Sequence, residues 1–89
     1  MRIKVFSLDV WGNADEGFEI NDLWSAGTIE CDDPYDDKAI VDALIDAGYL
    51  RDAARGRVRV EYDGNALDET RTPVEDAETG EPLYLLEGV

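Results

Sequence analysis

One stretch of this sequence repeats its apolar residues at helical spacing, while the segments on both sides of it alternate apolar and polar residues. In AIVDALIDAG, residues 39–48, one side carries Ile40, Val41, Leu44 and Ala47 at about 100° per residue. Alternation is typical of strands that bury one face. Together the two patterns predict an α+β domain, with an antiparallel sheet of about four to six strands and one amphipathic helix packed on one face.

The residues around this stretch predict where the helix begins and ends. Asp33 is the candidate N-cap, Pro34 suits the first helical position, and Asp36 and Asp37 lie in the first turn, where the helix dipole favours negative charge. Gly48 is the predicted C-terminal stop.

The first third of the chain predicts a hairpin. RIKVFSLDVW carries apolar residues on both faces, which favours an internal strand. GNADEG, residues 12–17, predicts a loop of about six residues, and FEIND returns as the second strand. Gly27 then predicts either one long bent strand or two short strands joined by a bulge.

Two further hairpins are predicted after the helix. RVRVEYDGNALDET carries the turn signal Asp63-Gly64, and PVEDA is joined to PLYLLE at Thr79-Gly80. The predicted order is therefore ββ-α-ββ(ββ). At 89 residues, the chain is expected to form a single small acidic domain over residues 1–89.

Charge is distributed unevenly along this chain, whose net charge is −14. Between Lys4 and Lys38 lie ten acids and no base, and residues 60–89 hold nine acids and only Arg71. A field of this sign repels nucleic acid and anionic membranes and attracts basic surfaces. We therefore expect the partner to be a basic protein surface, neither nucleic acid itself nor a membrane.

The residue types that carry most catalysis are scarce. The chain has no His, and its single cysteine, Cys31, is followed by Asp32, whose charge disfavours a thiolate. Neither a phosphate-binding glycine motif nor the calcium-loop pattern occurs. We expect a protein without enzymatic activity, cofactor or resident metal; a carboxylate-based calcium module stays open as an alternative.

The candidate binding surface consists of carboxylates from loops, helix and hairpins, and Trp24 is its candidate aromatic anchor, whereas Trp11 is expected in the core or covering an edge. The acids are Asp15, Glu16, Asp32, Asp33, Asp36, Asp42, Asp46, Glu61, Asp68 and Glu69. Arg57 and Arg59 alternate along a strand, and we expect them to pair with neighbouring acidic strands.

The segment VWGNADEGFEIND, residues 10–22, resembles a W-G-N…G-[FYW]-E-[VI]-N-D pattern found in small uncharacterised proteins of bacteriophages and other mobile elements. In composition the chain is also similar to small acidic inhibitors that imitate DNA. The resemblance implies a non-catalytic inhibitor of a host nucleic-acid-binding protein, of the anti-restriction or anti-CRISPR class.

The expected setting is the cytoplasm of a bacterial or archaeal host, with the protein a monomer or homodimer. The lone cysteine cannot pair within the chain, and no segment reaches the roughly 18 to 20 apolar residues that span a bilayer. An equally acidic composition is typical of proteins adapted to high salt, so a halophile-adapted domain remains the other reading.

Overall fold

Five strands and one helix make up the parts of the chain that a computed structural model describes, residues 2–33, 36–61 and 71–88. The strands are β1 (Arg2–Asn13), β2 (Gly17–Glu30), β3 (Val58–Val60), β4 (Thr72–Asp76) and β5 (Pro82–Gly88). The helix is α1 (Asp37–Asp46), and a 3-10 turn follows at Asp52–Ala54. The α+β class is confirmed, with three described strands after the helix.

All five strands lie in one antiparallel sheet in the order β2-β1-β5-β4-β3. The predicted internal position of β1 is confirmed, because β1 pairs with both β2 and β5. The hairpin of β4 and β5 across Thr79-Gly80 is confirmed as well. The predicted turn at Asp63-Gly64 lies outside the described residues, and β3 pairs with β4.

The β1–β2 hairpin is longer and tighter than its sequence predicts. The strands remain paired out to Asn13 and Gly17, so the predicted six-residue loop is wrong and three residues suffice. Gly12 and Gly17 both adopt positive φ, and these conformations let the strands run up to the turn. β2 is one continuous strand whose register shifts opposite Val5/Phe6 and Asp9/Val10, as expected for a bent strand with bulges.

The core lies between the helix and one face of the sheet. Ile40 and Leu44 from α1 are fully buried against Ile3, Val5 and Leu86 of the sheet, with further apolar residues from β2, β3 and β4 in the same cluster. Val41 is buried as predicted, but Ala47 is exposed. Ala47 is the C-cap residue, so it lies where the helix leaves the sheet.

Both ends of α1 are capped by local hydrogen bonds. The N-cap is Asp36, whose carboxylate accepts from Lys38 N at 3.1 Å, so the prediction of Asp33 is wrong. Successive aspartates offer equivalent caps, and the apolar stripe that packs on the sheet begins only one turn after Asp36. At the other end Gly48 N donates to Ile45 O and Tyr49 N to Leu44 O, which is the Schellman pattern.

Candidate partner-binding surface

The β1–β2 hairpin extends beyond the rest of the sheet. β1 pairs with β5 only from Ile3 to Ser7, whereas its pairing with β2 continues to Asn13. Residues 8–23 therefore form a two-stranded projection, which we call the arm. The molecule is accordingly elongated, with extents of 36 × 27 × 24 Å.

Five acids and no base lie on the arm. They are Asp9, Asp15, Glu16, Glu19 and Asp22. All five are exposed, and within the described ranges none of them forms an ion pair. The arm therefore presents uncompensated negative charge to solvent.

Asp15 and Glu16 lie in the turn at the tip of the arm. Asn13 Oδ1 accepts hydrogen bonds from both Asp15 N at 3.0 Å and Glu16 N at 2.9 Å. Because the amide side chain satisfies the backbone of the turn, the two carboxylates are left to face solvent. The structure thus places these two predicted site residues on a defined turn.

Register places Trp11 of the arm and Trp24 at its base on one face, which is also the helix-bearing face of the sheet. Ser7 is opposite Trp24, Asp9 is opposite Asp22, and Trp11 is opposite Glu19. Directly opposed residues share a face, and so do alternate residues along β1. Trp11 and Trp24 are 61% and 52% exposed. Of the two positions expected for Trp11, core or edge-covering, the core position is wrong, because its side chain is largely exposed on the arm.

Asp9 and Asp22 form a cross-strand pair of like charges between these tryptophans, an arrangement that is destabilising by itself. Asn21 Nδ2 donates to Asp9 Oδ2 at 3.0 Å, and Asp22 Oδ1 accepts from Leu23 N at 2.8 Å. Sequence reasoning missed Asp9, Glu19 and Asp22 as site residues. The signal that could have found them is the alternation of β1, which sets Asp9 between Ser7 and Trp11 on one face.

A second group of predicted acids lies at the opposite end of β2, beside the start of the helix. Asp32, Asp33 and Asp36 are all exposed. The backbone carbonyl of Asp33 accepts from Asp36 N at 3.3 Å and from Cys31 Sγ at 3.3 Å. β2 is 14 residues long, so this group is separated by the whole strand from the turn that holds Asp15 and Glu16.

The remaining predicted acids on the helix and β3 are mixed with arginines. Asp42 pairs with Arg55, whose Nε also lies 2.8 Å from Asp52 Oδ1. Glu61 pairs with Arg59 at 2.7 Å, and Arg59 lies 3.7 Å from Glu75 on β4, so the expected pairing of Arg59 with an acidic strand is confirmed. Asp46 is exposed. Asp68 and Glu69 lie outside the described residues.

An aromatic groove lies at the base of the arm. Tyr49 and Tyr84 form an edge-to-face pair with ring centroids 5.7 Å apart, and Trp24, Arg51 and Arg57 contribute to the same lining. Tyr84 Oη donates to Tyr49 O at 2.8 Å, and Tyr49 Oη donates to Ala26 O at 3.3 Å. Burial, with a smaller effect from Tyr49, raises the pKa of the Tyr84 hydroxyl. These bonds attach the segment that follows the helix to β5 through Tyr84 and to β2 through Ala26.

Among residues 2–33, 36–61 and 71–88, no three metal-ligating side chains lie close enough together to hold an ion. Cys31 is buried. In the same ranges no helix has the length and apolar character needed to cross a bilayer.

Comparison with protein-family models yields no match for this chain, and comparisons with curated proteins and with solved structures yield none either.

Proposed function

We propose that this protein is a non-catalytic acidic binding protein that occupies the basic, nucleic-acid-binding surface of a host protein and thereby inhibits it, as an anti-restriction or anti-CRISPR protein does. The observation that carries the proposal is the arm, where five exposed acids have no cationic partner among the described residues. Elsewhere, exposed acids such as Asp42 and Glu61 are paired with arginine. Single acids such as Asp46, Glu78 and Glu81 are also exposed and, in the described part of the chain, without an ion pair, but the arm gathers five such acids on one hairpin that carries no base.

The charge density of the arm suits this role. Its six-residue strand length corresponds to about 20 Å at a rise of roughly 3.3 Å per residue. Three of the five charges lie within that length and two lie in the turn at its tip, so the arm carries one charge per about 4–5 Å, compared with one per about 3.4 Å along a single strand of DNA. The arm therefore imitates the charge of one nucleic-acid strand, which is about half that of the duplex.

Competition with DNA tests the proposal. Fluorescent duplexes bound to a panel of host nucleic-acid-binding proteins are titrated with this protein, and released duplex is read by anisotropy at about 50 mM and 200 mM salt. We expect displacement from at least one target, with a steep loss of potency at the higher salt because the contact is electrostatic. Displacement from none of the targets, or displacement insensitive to salt, contradicts the proposal.

A matched pair of variants separates the arm from overall charge. The arm variant carries Asp9→Asn, Asp15→Asn, Glu16→Gln, Glu19→Gln and Asp22→Asn. The control removes the same five charges elsewhere, through Asp32→Asn, Asp46→Asn, Glu78→Gln, Glu81→Gln and Glu87→Gln. We expect the arm variant to lose displacement by at least tenfold, about 1.4 kcal/mol, and the control to lose much less. Equal losses contradict a role for the arm.

A domain adapted to high salt is the second candidate, and one observation favours it: exposed acids occur on the helix and at the turns as well as on the arm, for example Asp46, Glu78 and Glu81. Adaptation to solvent requires acids on all sides but no position-specific effect. The control variant described above discriminates, because under this alternative the arm and control variants change solubility in high salt equally, and neither affects displacement of DNA.

A further inference from the structure

Along the arm, one edge of β1 has no other strand beside it among the described residues. Beyond Ser7 no described strand pairs with the side of β1 that faces β5 nearer its start. Leu8–Asn13 therefore present a row of main-chain donors and acceptors without a strand partner in the described part of the chain. Such edges pair readily with another extended chain.

Two of the usual protections of an edge strand are missing here. The edge segment, LDVWGN, is six residues long and contains neither lysine nor proline, the residues that most often block strand addition. Its one charge is Asp9, placed opposite Asp22. Negative charge at this position disfavours pairing with a second copy of this chain, whose net charge is also −14, and favours a segment of opposite sign.

The side chains above this edge match an extended chain with cations at alternate positions. Along β1 the face that carries Trp24 presents Ser7, Asp9 and Trp11 at two-residue intervals, which is about 6.6 Å per step. An added strand repeats its own side chains on one face at the same interval. An arginine opposite Asp9 then lies beside that carboxylate and beside the indole of Trp11, and its long side chain extends across β1 toward Asp22 and Trp24 on β2.

We propose that an extended, basic segment of the partner adds as a strand along Leu8–Asn13, with an arginine or lysine bound by Asp9 and Asp22 between Trp11 and Trp24. The inference rests on the proposed function, because it takes the arm to face a basic protein. It adds how the arm holds that protein: through the main chain and one cation position rather than through diffuse charge alone. A bound cation also relieves the repulsion between Asp9 and Asp22 that the free protein bears.

A synthetic peptide, acetyl-(Thr-Arg)4-amide, serves as the probe for the full chain. Two counterparts have the same sequence and charge as this peptide. Each carries N-methyl groups on alternate amides, so that one counterpart is blocked along one edge and the other along the opposite edge. We expect the unmodified peptide to bind, and the version methylated on the pairing edge to bind at least tenfold more weakly, because methylation removes the main-chain donors. Backbone NMR shifts on binding are expected in Leu8–Asn13.

Side-chain variants test the cation position. Asp9→Asn with Asp22→Asn, and separately Trp11→Ala, are each expected to weaken the peptide by about five- to tenfold. The control, Glu78→Gln with Glu81→Gln, removes the same charge outside the arm and is expected to change affinity by less than twofold. Since Trp11, Asp9 and Asp22 are exposed, the variants should fold, which thermal melting verifies.

Three results overturn the inference: no binding of the unmodified peptide, equal binding of all methylated versions, or shifts outside the arm. They do so without deciding the proposed function, since displacement of DNA by diffuse charge is measured separately. Conversely, peptide binding at Leu8–Asn13 together with failure to displace DNA from any target supports the strand addition and removes the proposed inhibition of nucleic-acid binding.

Discussion

At the base of the arm, β2 and the segment that follows the helix lie close together because residue 27 is a glycine. Gly27 adopts φ +152°, and a Cβ built on it overlaps Tyr49 Oη. That hydroxyl donates to the neighbouring Ala26 O. The bulge in β2 and the contact with the aromatic groove therefore both depend on residue 27 being glycine.

We expect Gly27→Ala to lower the free energy of unfolding by about 2 kcal/mol, from backbone strain and the overlap together. Adding Tyr49→Phe removes the overlapping atom, so the double variant should be less destabilised than the sum of the singles, by at least about 0.5 kcal/mol. Denaturant unfolding of the four proteins measures the cycle. Gly17→Ala serves as the control for backbone strain without overlap, because Gly17 has φ +92° and no atom lies within 4 Å of the added Cβ. If the destabilisations of the two single variants simply add, the overlap between residue 27 and Tyr49 is contradicted.

The turn between β4 and β5 depends on one ionised carboxylate. Hydrogen bonds from the backbone N–H groups of Thr79 and Glu78 hold the pKa of Asp76 below its usual value of 3.8. Because the pKa is lowered in the folded state, the stabilisation is complete above the unfolded pKa and is lost as pH falls through the folded pKa.

We therefore expect Asp76→Asn to be less stable than the wild type at pH 7, with the difference shrinking as pH falls below about 3.8, the usual value. The measurement is urea unfolding of both proteins from pH 7 to pH 2. Glu78→Gln removes a charge from the same turn while leaving these acceptors in place, so it controls for overall charge. A difference that stays constant down to pH 2 would rule the mechanism out.

At the scale of the residue, the sequence predicts a cap but not which aspartate provides it. Asp33 and Asp36 have the same capping chemistry, and the choice follows from where the helix must begin to place Ile40 and Leu44 on the sheet. Trp11 shows the same limit. Its side chain suits a core by propensity, but whether β1 is covered at that point depends on how far β5 extends, which is set by strands distant in sequence.

Among the elements, α1 is held mainly by the apolar side that faces the sheet. Leu44 is fully buried, and its neighbour Ile45 is partly exposed. We expect Leu44→Ala to cost about 2–5 kcal/mol and Ile45→Ala clearly less, as measured by chemical denaturation. Equal losses would mean that α1 does not pack on the sheet through the side described here.

The periodicity of the sequence predicts the elements well and their arrangement poorly. β1, β2, α1 and the β4–β5 hairpin follow from alternation, helical spacing and turn residues, which are local properties. The length of the first loop does not, because two glycines at positive φ allow pairing to continue through residues typical of turns. The insertion of β5 between β1 and β4 is a long-range pairing that no local pattern encodes.

For the whole molecule, self-repulsion is the dominant electrostatic effect, since the net charge is −14. We expect the melting temperature to rise by several degrees as NaCl increases from about 10 to 150 mM, where the Debye length falls from about 30 to 8 Å. The arm variant with five amides should melt higher at low salt and respond less to salt. Identical salt responses of the two proteins contradict the uncompensated charge assigned to the arm.

At this scale the sequence predicts excess negative charge but not its placement. The sequence predicts a single acidic surface, whereas the structure puts Asp15 and Glu16 at one end of β2 and Asp32 and Asp33 at the other. Asp42 and Glu61 are paired to arginines. Which acids share a face depends on the strand register, and which of them are compensated depends on the arginines within reach. Of the local patterns in the sequence, only the alternation along β1 indicates that Asp9 and Trp11 lie on the same face.

β5 is the middle strand of the sheet, and it follows the four other described strands in the sequence. During synthesis on the ribosome, the β1–β2 and β3–β4 pairs can each form early and α1 can contact both β2 and β3, but no strand pairing joins the two pairs until residues 82–88 emerge. We therefore expect cooperative folding to wait until these residues are translated, because a nascent polypeptide stalled earlier leaves Val5 and Val74 without Leu86 and Tyr84, their partners on β5. Interrupted translation of this gene product should give a substrate for chaperones and proteases rather than a partly functional fragment.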